Sequence, residues 1–404
     1  MDWNVNFTNM LGEATELMRT GNLMDATEAI QRALSGQSPP TQAPTAAPPF
    51  QGIKLPARPA ARKRTGRAAH TQAQADVQDA IVKERTAAPG AAPAGRAKVE
   101  QPGSFERVAF VHAGVRHHYR LYVPPGAAAG KPMPLVLMLH GCTQDADDFA
   151  TGTGMNQAAA PANALVLYAA QSRNANPNGC WNWFEPEHQQ RGSGEPALLV
   201  AMVHDVMARH PVDAQRVYAA GLSAGGAMAA LLGREYPDVF AAVGVHSGLQ
   251  AGAAHNMMAA LSAMNNGAKP TGQPARARRR AGATATPALI VFHGDADNTV
   301  HAKNGEQLVD AALEAAIGAD GSVHHETLQG QSPAGQRYTR TLYRRTGSTA
   351  TGDNGADVLA EHWVLHSAGH AWSGGDARGS HTDARGVKAT DEMLRFFLAH
   401  SRAA

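Results

Sequence analysis

The chain has 404 residues, and its 36 Lys and Arg nearly balance 34 Asp and Glu, so the formal net charge of +2 gives no overall pull toward nucleic acid. The composition is that of an ordinary soluble protein enriched in Ala and Gly. No stretch approaches the ~18–20 consecutive apolar residues of a membrane-spanning helix.

The first residues, MDWNVNFTNMLGEATELM, carry an acidic residue at position 2 and lack a basic segment followed by an apolar one. They do not read as a secretory signal, and the expected location is cytoplasmic. Residues 1–36 read as a helical hairpin. Leu11, Ala14, Leu17 and Met18 share one face, Gly21-Asn22 makes the turn, and Met24, Ala26, Ile30 and Leu34 continue at helical spacing. Two roles stand side by side: a helical appendage, or a docking element for a partner or an apolar surface. Residues 37–104 are rich in Pro, Ala, Gln, Thr and Arg, with few large apolar side chains to offset chain entropy. They are expected to be a disordered linker.

A globular domain is expected over 105–402. A hairpin turned at Ala113-Gly114 opens it. A buried strand, residues 134–140, runs into Gly141-Cys142-Thr143. Strands follow at 165–168, 216–220, 241–245, 288–292, 339–344 and 361–366, with helices at 196–210, 302–317 and 390–400. This alternation predicts an α/β fold with a mostly parallel sheet flanked by helices, whose ligand sites lie beyond the carboxyl ends of the strands. Residues 265–287, basic and without core residues, are expected to be a disordered insertion.

Residues 217–228, VYAAGLSAGGAM, carry Gly221-Leu222-Ser223-Ala224-Gly225 between an apolar strand and an Ala/Leu-rich helix. A G-x-S-x-G at a strand–turn–helix junction lifts the serine hydroxyl out of the sheet, and the glycines allow strand and helix to pack closely. A serine needs an adjacent base, and the base needs a carboxylate to orient it. Asp295 and Asp297 lie at the next suitable strand end. The run from His293 to Val300 fits H-G-x-x-D-x-x-V and selects Asp297, leaving Asp295 as a turn residue bonded to its own backbone. His362, His366, His370 and His381 compete for the base. His370 sits on a Gly-rich loop just after a strand, where an imidazole can swing to the serine.

The oxyanion needs two N–H donors. The amides of Ala224, next after the serine, and Cys142, in the loop after residues 134–140, are the candidates. Two cysteines, Cys142 and Cys180, leave two readings open: a pair of small buried residues, or a disulfide closing a loop of about 38 residues, worth roughly 4 kcal/mol in chain entropy. A cytosolic setting disfavours the bridge, whereas the position of both cysteines favours their proximity. Trp181 and Trp183, in a loop rich in Asn, Pro and Gly, are candidate contacts for an apolar acyl or polymer chain, with core packing as the alternative. His140, at its strand end, joins them as a candidate substrate contact.

Residues 134–144 (PLVLMLHGCTQ), 178–183 (NGCWNW), 221–226 (GLSAGG), 293–297 (HGDAD) and 369–374 (GHAWSG) resemble the catalytic domain of the poly(3-hydroxybutyrate) depolymerase group, which includes feruloyl and acetylxylan esterases. The resemblance spans roughly 105–400. It implies an α/β-hydrolase fold and a serine esterase with Ser223 as nucleophile, Asp297 as acid and His370 as base. It further implies that Cys142 supports the oxyanion hole and is bridged to Cys180, and that neither metal nor organic cofactor is required. Secreted members of the group carry a signal peptide and often a polymer-binding domain after the catalytic one. The organisation here resembles the intracellular members, whose substrate would be storage granules. The expected activity is hydrolysis of polyhydroxyalkanoate chains or oligomers. Feruloyl, acetylxylan or short-chain esters are the alternative, and a non-catalytic granule-binding protein is the remote one.

Overall fold

The computed structural model describes residues 103–269, 286–317, 322–346 and 357–402. The expected N-terminal hairpin (1–36), nearly all of the linker (37–104) and most of the 265–287 insertion lie outside them. The described residues belong to one unit, Arg96–Ala404.

A hairpin opens this unit, formed by β1 (Ser104–His112) and β2 (Val115–Val123). Ala113 at φ 50° and Gly114 at φ 78° turn it, a pair of positive φ values whose twist matches the flanking strands. β3 (Met133–Leu139) is buried at every position. Asp145 then caps α1 (Ala146–Thr153) by accepting the Asp147 and Asp148 amides at 3.0 and 2.9 Å. There follow α2 (Met155–Ala159), β4 (Leu165–Ala169), α3 (Gly194–Arg209), β5 (Val212–Leu222), α4 (Ala224–Glu235), β6 (Ala242–His246) and α5 (Met257–Asn266). The second half holds β7 (Ala288–Gly294), α6 (Lys303–Ile317), β8 (Val323–Gln331), β9 (Arg337–Arg345), β10 (Val358–Leu365), the short β11 (Trp372–Ser373) and β12 (Thr382–Asp383), and α7 (Ala389–Ala399).

The main sheet has ten strands in the order β1-β2-β4-β3-β5-β6-β7-β10-β9-β8. Neighbours from β4 through β10 in that order run parallel, and antiparallel strands flank them on both sides. Alternation along a strand buried on both faces creates two cores. Leu135, Leu137 and Leu139 of β3 pack with Leu199 and Val203 of α3 and Met228 and Leu231 of α4. Val136 and Met138 face the other way, with Phe149 of α1, Met155 of α2 and Phe396 and Phe397 of α7. This is the α/β-hydrolase architecture.

The sequence reading passed over α1, α2, α5 and β8. In β8, VHHETLQGQ, nearly every residue is exposed, so no apolar alternation marks it. The start expected for the insertion is corrected, because residues 265, 266 and 268 are held in the fold. Residues 265 and 266 end α5, and Ala268 exchanges hydrogen bonds with the Gln307 side chain, its N–H donating to Oε1 at 2.8 Å and its carbonyl accepting from Nε2 at 2.8 Å. Among the described residues no helix is long and apolar enough to cross a membrane.

Candidate active site

Ser223 stands between β5 and α4 with φ 57° and ψ −119°, a conformation that non-glycine residues rarely adopt and that needs surrounding structure to hold it. The glycines explain the tightness. A Cβ on Gly221 would collide with the backbone of Gly225, and one on Gly225 with the carbonyl oxygens of Leu139 and His140. The elbow therefore presses directly on the end of β3, where the loop toward Cys142 begins.

His246, at the end of β6, ties the elbow to the loop that carries His370. Its carbonyl accepts the Ser223 N–H at 2.9 Å, and its ring Nε2 accepts the Ser373 N–H at 3.0 Å. The ring is stacked between Phe292 and Trp372 and is fully buried. Burial, reinforced by the nearby His293 and His370, lowers its pKa to about 3. The neutral ring keeps Nε2 as an acceptor, while Nδ1–H donates to Ser247 Oγ at 3.1 Å. Ser247, at φ 50°, is a second strained position beside the first. The sequence reading placed a strand at 241–245 and gave the residues after it no role.

Asp297 and His370 are brought together. His370 Nδ1–H donates to Asp297 Oδ2 at 2.7 Å, and the other carboxylate oxygen accepts the Thr299 and Val300 amides at 2.9 and 2.8 Å. Burial opposes ionisation of Asp297, but the His370 hydrogen bond and charge and the two amides outweigh it and hold the carboxyl below its ordinary range. Among the described residues His370 Nε2 has no hydrogen-bond partner and is left as an acceptor. Among the described residues the Ser223 hydroxyl makes no side-chain hydrogen bond, so no direct Ser223–His370 bond is formed; the His246 bridge is what relates the two. Gly294 admits the His370 loop over the end of β7, since a Cβ there would strike the Ala368 and Gly369 backbone.

The other histidines are otherwise engaged. His366 gives Nδ1–H to Asp295 Oδ2 at 2.8 Å and takes the Thr339 hydroxyl on Nε2 at 2.8 Å. Asp295 also accepts the Ser367 N–H at 2.6 Å, so it braces the opposite loop rather than its own turn, as its sequence had suggested. His362 is buried, which lowers its pKa to about 4. His381 hydrogen-bonds Thr143 Oγ1 at 3.2 Å, beside the loop after β3.

That loop is pinned on several sides. Cys142 is disulfide-bonded to Cys180, with Cα atoms 4.3 Å apart. Thr143, at φ 66°, donates its N–H to Asn178 O at 2.7 Å. The expectation that Trp181 and Trp183 offer surface to a substrate is corrected: they are 1% and 6% exposed. Trp181 Nε1 donates to His140 O at 3.1 Å, and its ring packs on the His140 ring. His140 is equally buried, with Nδ1–H donating to Gly141 O at 2.8 Å and Nε2 accepting the Gln171 N–H at 3.2 Å. The polar atoms of Trp181 and His140 are satisfied inside the protein, and Trp183 packs edge-on against Phe184, so all three belong to the core. Glu195 is buried too, accepting from Asn182 N at 2.8 Å, Asn182 Nδ2 at 2.7 Å and Gln171 Nε2 at 2.6 Å. Burial pushes the Glu195 pKa up. Among the described residues no group of three His, Cys, Asp or Glu is arranged to hold a metal ion.

The family model described as "Esterase PHB depolymerase" matches residues 117–327, just over half of the chain. The chain belongs to the PHB depolymerase esterase family. The matched segment contains Ser223 and Asp297, and His370 lies beyond it. The chain is 35% identical over 193 residues to poly(3-hydroxyalkanoate) depolymerase C of Paucimonas lemoignei, covering 47% of this chain and 46% of that one. It is 31% identical over 197 residues to feruloyl esterase B of Thermothelomyces thermophilus, covering 46% of this chain and 66% of that one. The chain thus spans about half the length of the first relative and just under two thirds of the second. Its fold is similar to that of an acetyl xylan esterase from Aspergillus awamori, with a TM-score of 0.56 at 18% identity over 74% of this chain and 100% of that one.

Proposed function

We propose that this chain is a serine carboxylic-ester hydrolase that cleaves polyhydroxyalkanoate ester bonds, in polymer or oligomer, through an acyl-enzyme. One observation carries the reading: His370 holds its Nδ1 proton on buried Asp297 at 2.7 Å and keeps Nε2 open, while a shared neighbour ties its loop to the strained Ser223 elbow.

In this mechanism the Ser223 hydroxyl closes on His370 Nε2 as substrate enters, as catalytic hydrogen bonds do when a site fills. Ser223 Oγ attacks the ester carbonyl and His370 takes its proton. Asp297 stabilises the imidazolium and fixes the tautomer. The tetrahedral oxyanion is held by the amides of Ala224 and Cys142. Ala224 is the first residue of α4, so its N–H has no acceptor within the helix and lies at the positive end of the helix dipole. Collapse breaks the ester C–O bond, and His370 returns its proton to the leaving alcohol. A water, deprotonated by His370, attacks the acyl-serine; the carboxylic acid leaves and Ser223 regains its proton.

The relatives support an ester substrate and suggest which esters to test. The 35% identity to a poly(3-hydroxyalkanoate) depolymerase favours hydroxyalkanoate esters, and the likeness to a feruloyl esterase makes a hydroxycinnamoyl ester the second substrate to test. Hydrolysis of hydroxybutyrate trimer, native and denatured polymer granules, methyl ferulate and p-nitrophenyl acetate by wild type and Ser223→Ala tests both parts. We expect the hydroxybutyrate esters to be the best substrates and Ser223→Ala to be inactive on all. Near-normal turnover by Ser223→Ala would refute the nucleophile; preference for methyl ferulate would move the substrate assignment. A granule surface is the proposed partner, and loss of granule association on removal of residues 1–100 would assign it to that segment.

A further inference from the structure

We propose that Gln144 is a positioning residue that holds the Cys142 amide in place for the oxyanion and couples that loop to the loop bearing His370. The inference rests on the ester-hydrolase reading above and adds a residue that reading does not use.

Gln144 is 5% exposed, and both ends of its amide are committed. Oε1 accepts the Gly141 N–H at 2.9 Å. Nε2 donates to Asp148 Oδ2 at 3.0 Å, to Ser380 O at 3.1 Å and, more weakly, to Ser380 Oγ at 3.3 Å. Asp148 in turn accepts the Ser380 N–H at 2.9 Å and the Ser380 hydroxyl. Burial opposes ionisation of Asp148, but the Ser380 and Gln144 donors outweigh it and hold the carboxyl below its ordinary range. The Gln144 side chain therefore fastens the backbone one residue before Cys142 to Ser380, which is 236 residues along the chain from Gln144.

The far end of the link reaches the base. His381, next to Ser380, bonds Thr143 Oγ1 through its ring, and its carbonyl accepts the Trp372 N–H at 2.7 Å. Trp372 is two residues from His370 and one from Ser373, whose N–H rests on His246. Thr143 and His381 both hold positive φ, 66° and 51°, so two strained residues face each other across this contact. Such strain persists only where surrounding bonds over-determine the backbone. The disulfide fixes the side chain of Cys142, whereas Gln144 fixes the peptide plane beside its N–H. An oxyanion donor acts only when aimed within tenths of an ångström of where charge develops, and displacement of about 1 Å costs on the order of 100-fold in rate.

The test compares wild type, Gln144→Leu, Gln144→Glu and Gln144→Glu combined with Asp148→Asn, with Ser223→Ala alongside. Gln144→Leu removes both links. We expect kcat on a soluble p-nitrophenyl ester to fall about 10- to 100-fold with KM within about twofold, and a boronic acid that forms a tetrahedral serine adduct to bind weaker by the same factor. Gln144→Glu keeps the acceptor for Gly141 but sets a carboxylate against Asp148, so it should also lose kcat. Adding Asp148→Asn restores a donor–acceptor pair between residues 144 and 148, though not with Ser380 O, and should recover part of the loss. That rescue, and the parallel loss of tetrahedral-adduct affinity, are effects that a merely structural role would not produce. If Gln144→Leu does not fold, the Glu/Asn pair decides alone. Unchanged kcat in folded Gln144→Leu, or no rescue by the pair, overturns the proposal while inactive Ser223→Ala leaves the hydrolase reading standing. An active Ser223→Ala would overturn both.

Discussion

Asp295 and Asp297, two residues apart on the loop after β7, each pair with a histidine from the segment after β10, and the two pairs differ in what surrounds them. Asp297 has a fully buried side chain, and that of His370 is 15% exposed; the Asp295 and His366 side chains are 41% and 32% exposed. Both aspartates take a ring Nδ1–H, at 2.7 and 2.8 Å. The decisive difference is on the far nitrogen. His366 Nε2 is spent on Thr339, whereas among the described residues His370 Nε2 has no partner, and the loop that carries it is tied to Ser223 through Ser373 and His246. A carboxylate–imidazole pair becomes an acid–base relay only when the second nitrogen faces a reacting group; otherwise it is a loop brace.

The sharpest way to break this comparison is to exchange the roles of the pairs by mutation. His370→Ala should lower kcat about 10⁴-fold or more, because only binding and the oxyanion donors remain, while His366→Ala should stay within about threefold of wild type. Steady-state kinetics on a soluble ester checks both, and equal losses would dissolve the distinction. Asp297→Asn should cost about 10³- to 10⁴-fold through loss of tautomer control, and Asp295→Asn should barely change kcat. Thermal unfolding should show the reverse emphasis for Asp295→Asn, a loss of about 1 kcal/mol or less from its exposed pair.

Next in size is the disulfide that pins the loop after β3. Replacing Cys142 and Cys180 together by Ser should lower unfolding stability by about 2–4 kcal/mol, read from urea midpoints; no change would mean the loop is held without it.

The smallest effect sharpens the contrast between buried and exposed imidazoles. Burial lowers the pKa of His246 to about 3 and of His362 to about 4. Between pH 4 and the unfolded value near 6.5, the unfolded chain therefore binds more protons than the folded one, so stability rises with pH across that window and is lost on acidification. Each such ring adds up to about 1.4 kcal/mol per pH unit to the slope. His362 Nε2 is also buried without a partner. His362→Leu should flatten the slope by one histidine's share and cost little at neutral pH; an unchanged slope would remove His362 from the account.

Much of the site could be read before any coordinates, for local reasons. The elbow at 221–225 is legible because backbone strain and close packing demand Gly, Ser and Gly at fixed offsets, and the collisions at Gly221 and Gly225 are that demand in space. The strands β3, β5, β6, β7 and β10 announce themselves as buried apolar runs, and the hairpin by Ala113-Gly114. The polar strand β8 has no such pattern, and the turn-rich loop around Trp181 and Trp183 suggested surface where the structure has core.

The amino-acid sequence by itself determined the chemistry on offer at each strand end: a serine on an elbow, carboxylates after β7, a histidine on a Gly-rich loop, two cysteines beside them. Tertiary structure alone decided which groups meet. The contact from Ser373 to His246 spans 127 residues and that from Gln144 to Ser380 spans 236, and no local spacing rule reaches so far. Turn chemistry is written in neighbours along the chain, whereas the aim of an amide or the free face of an imidazole depends on what the rest of the fold presses against it.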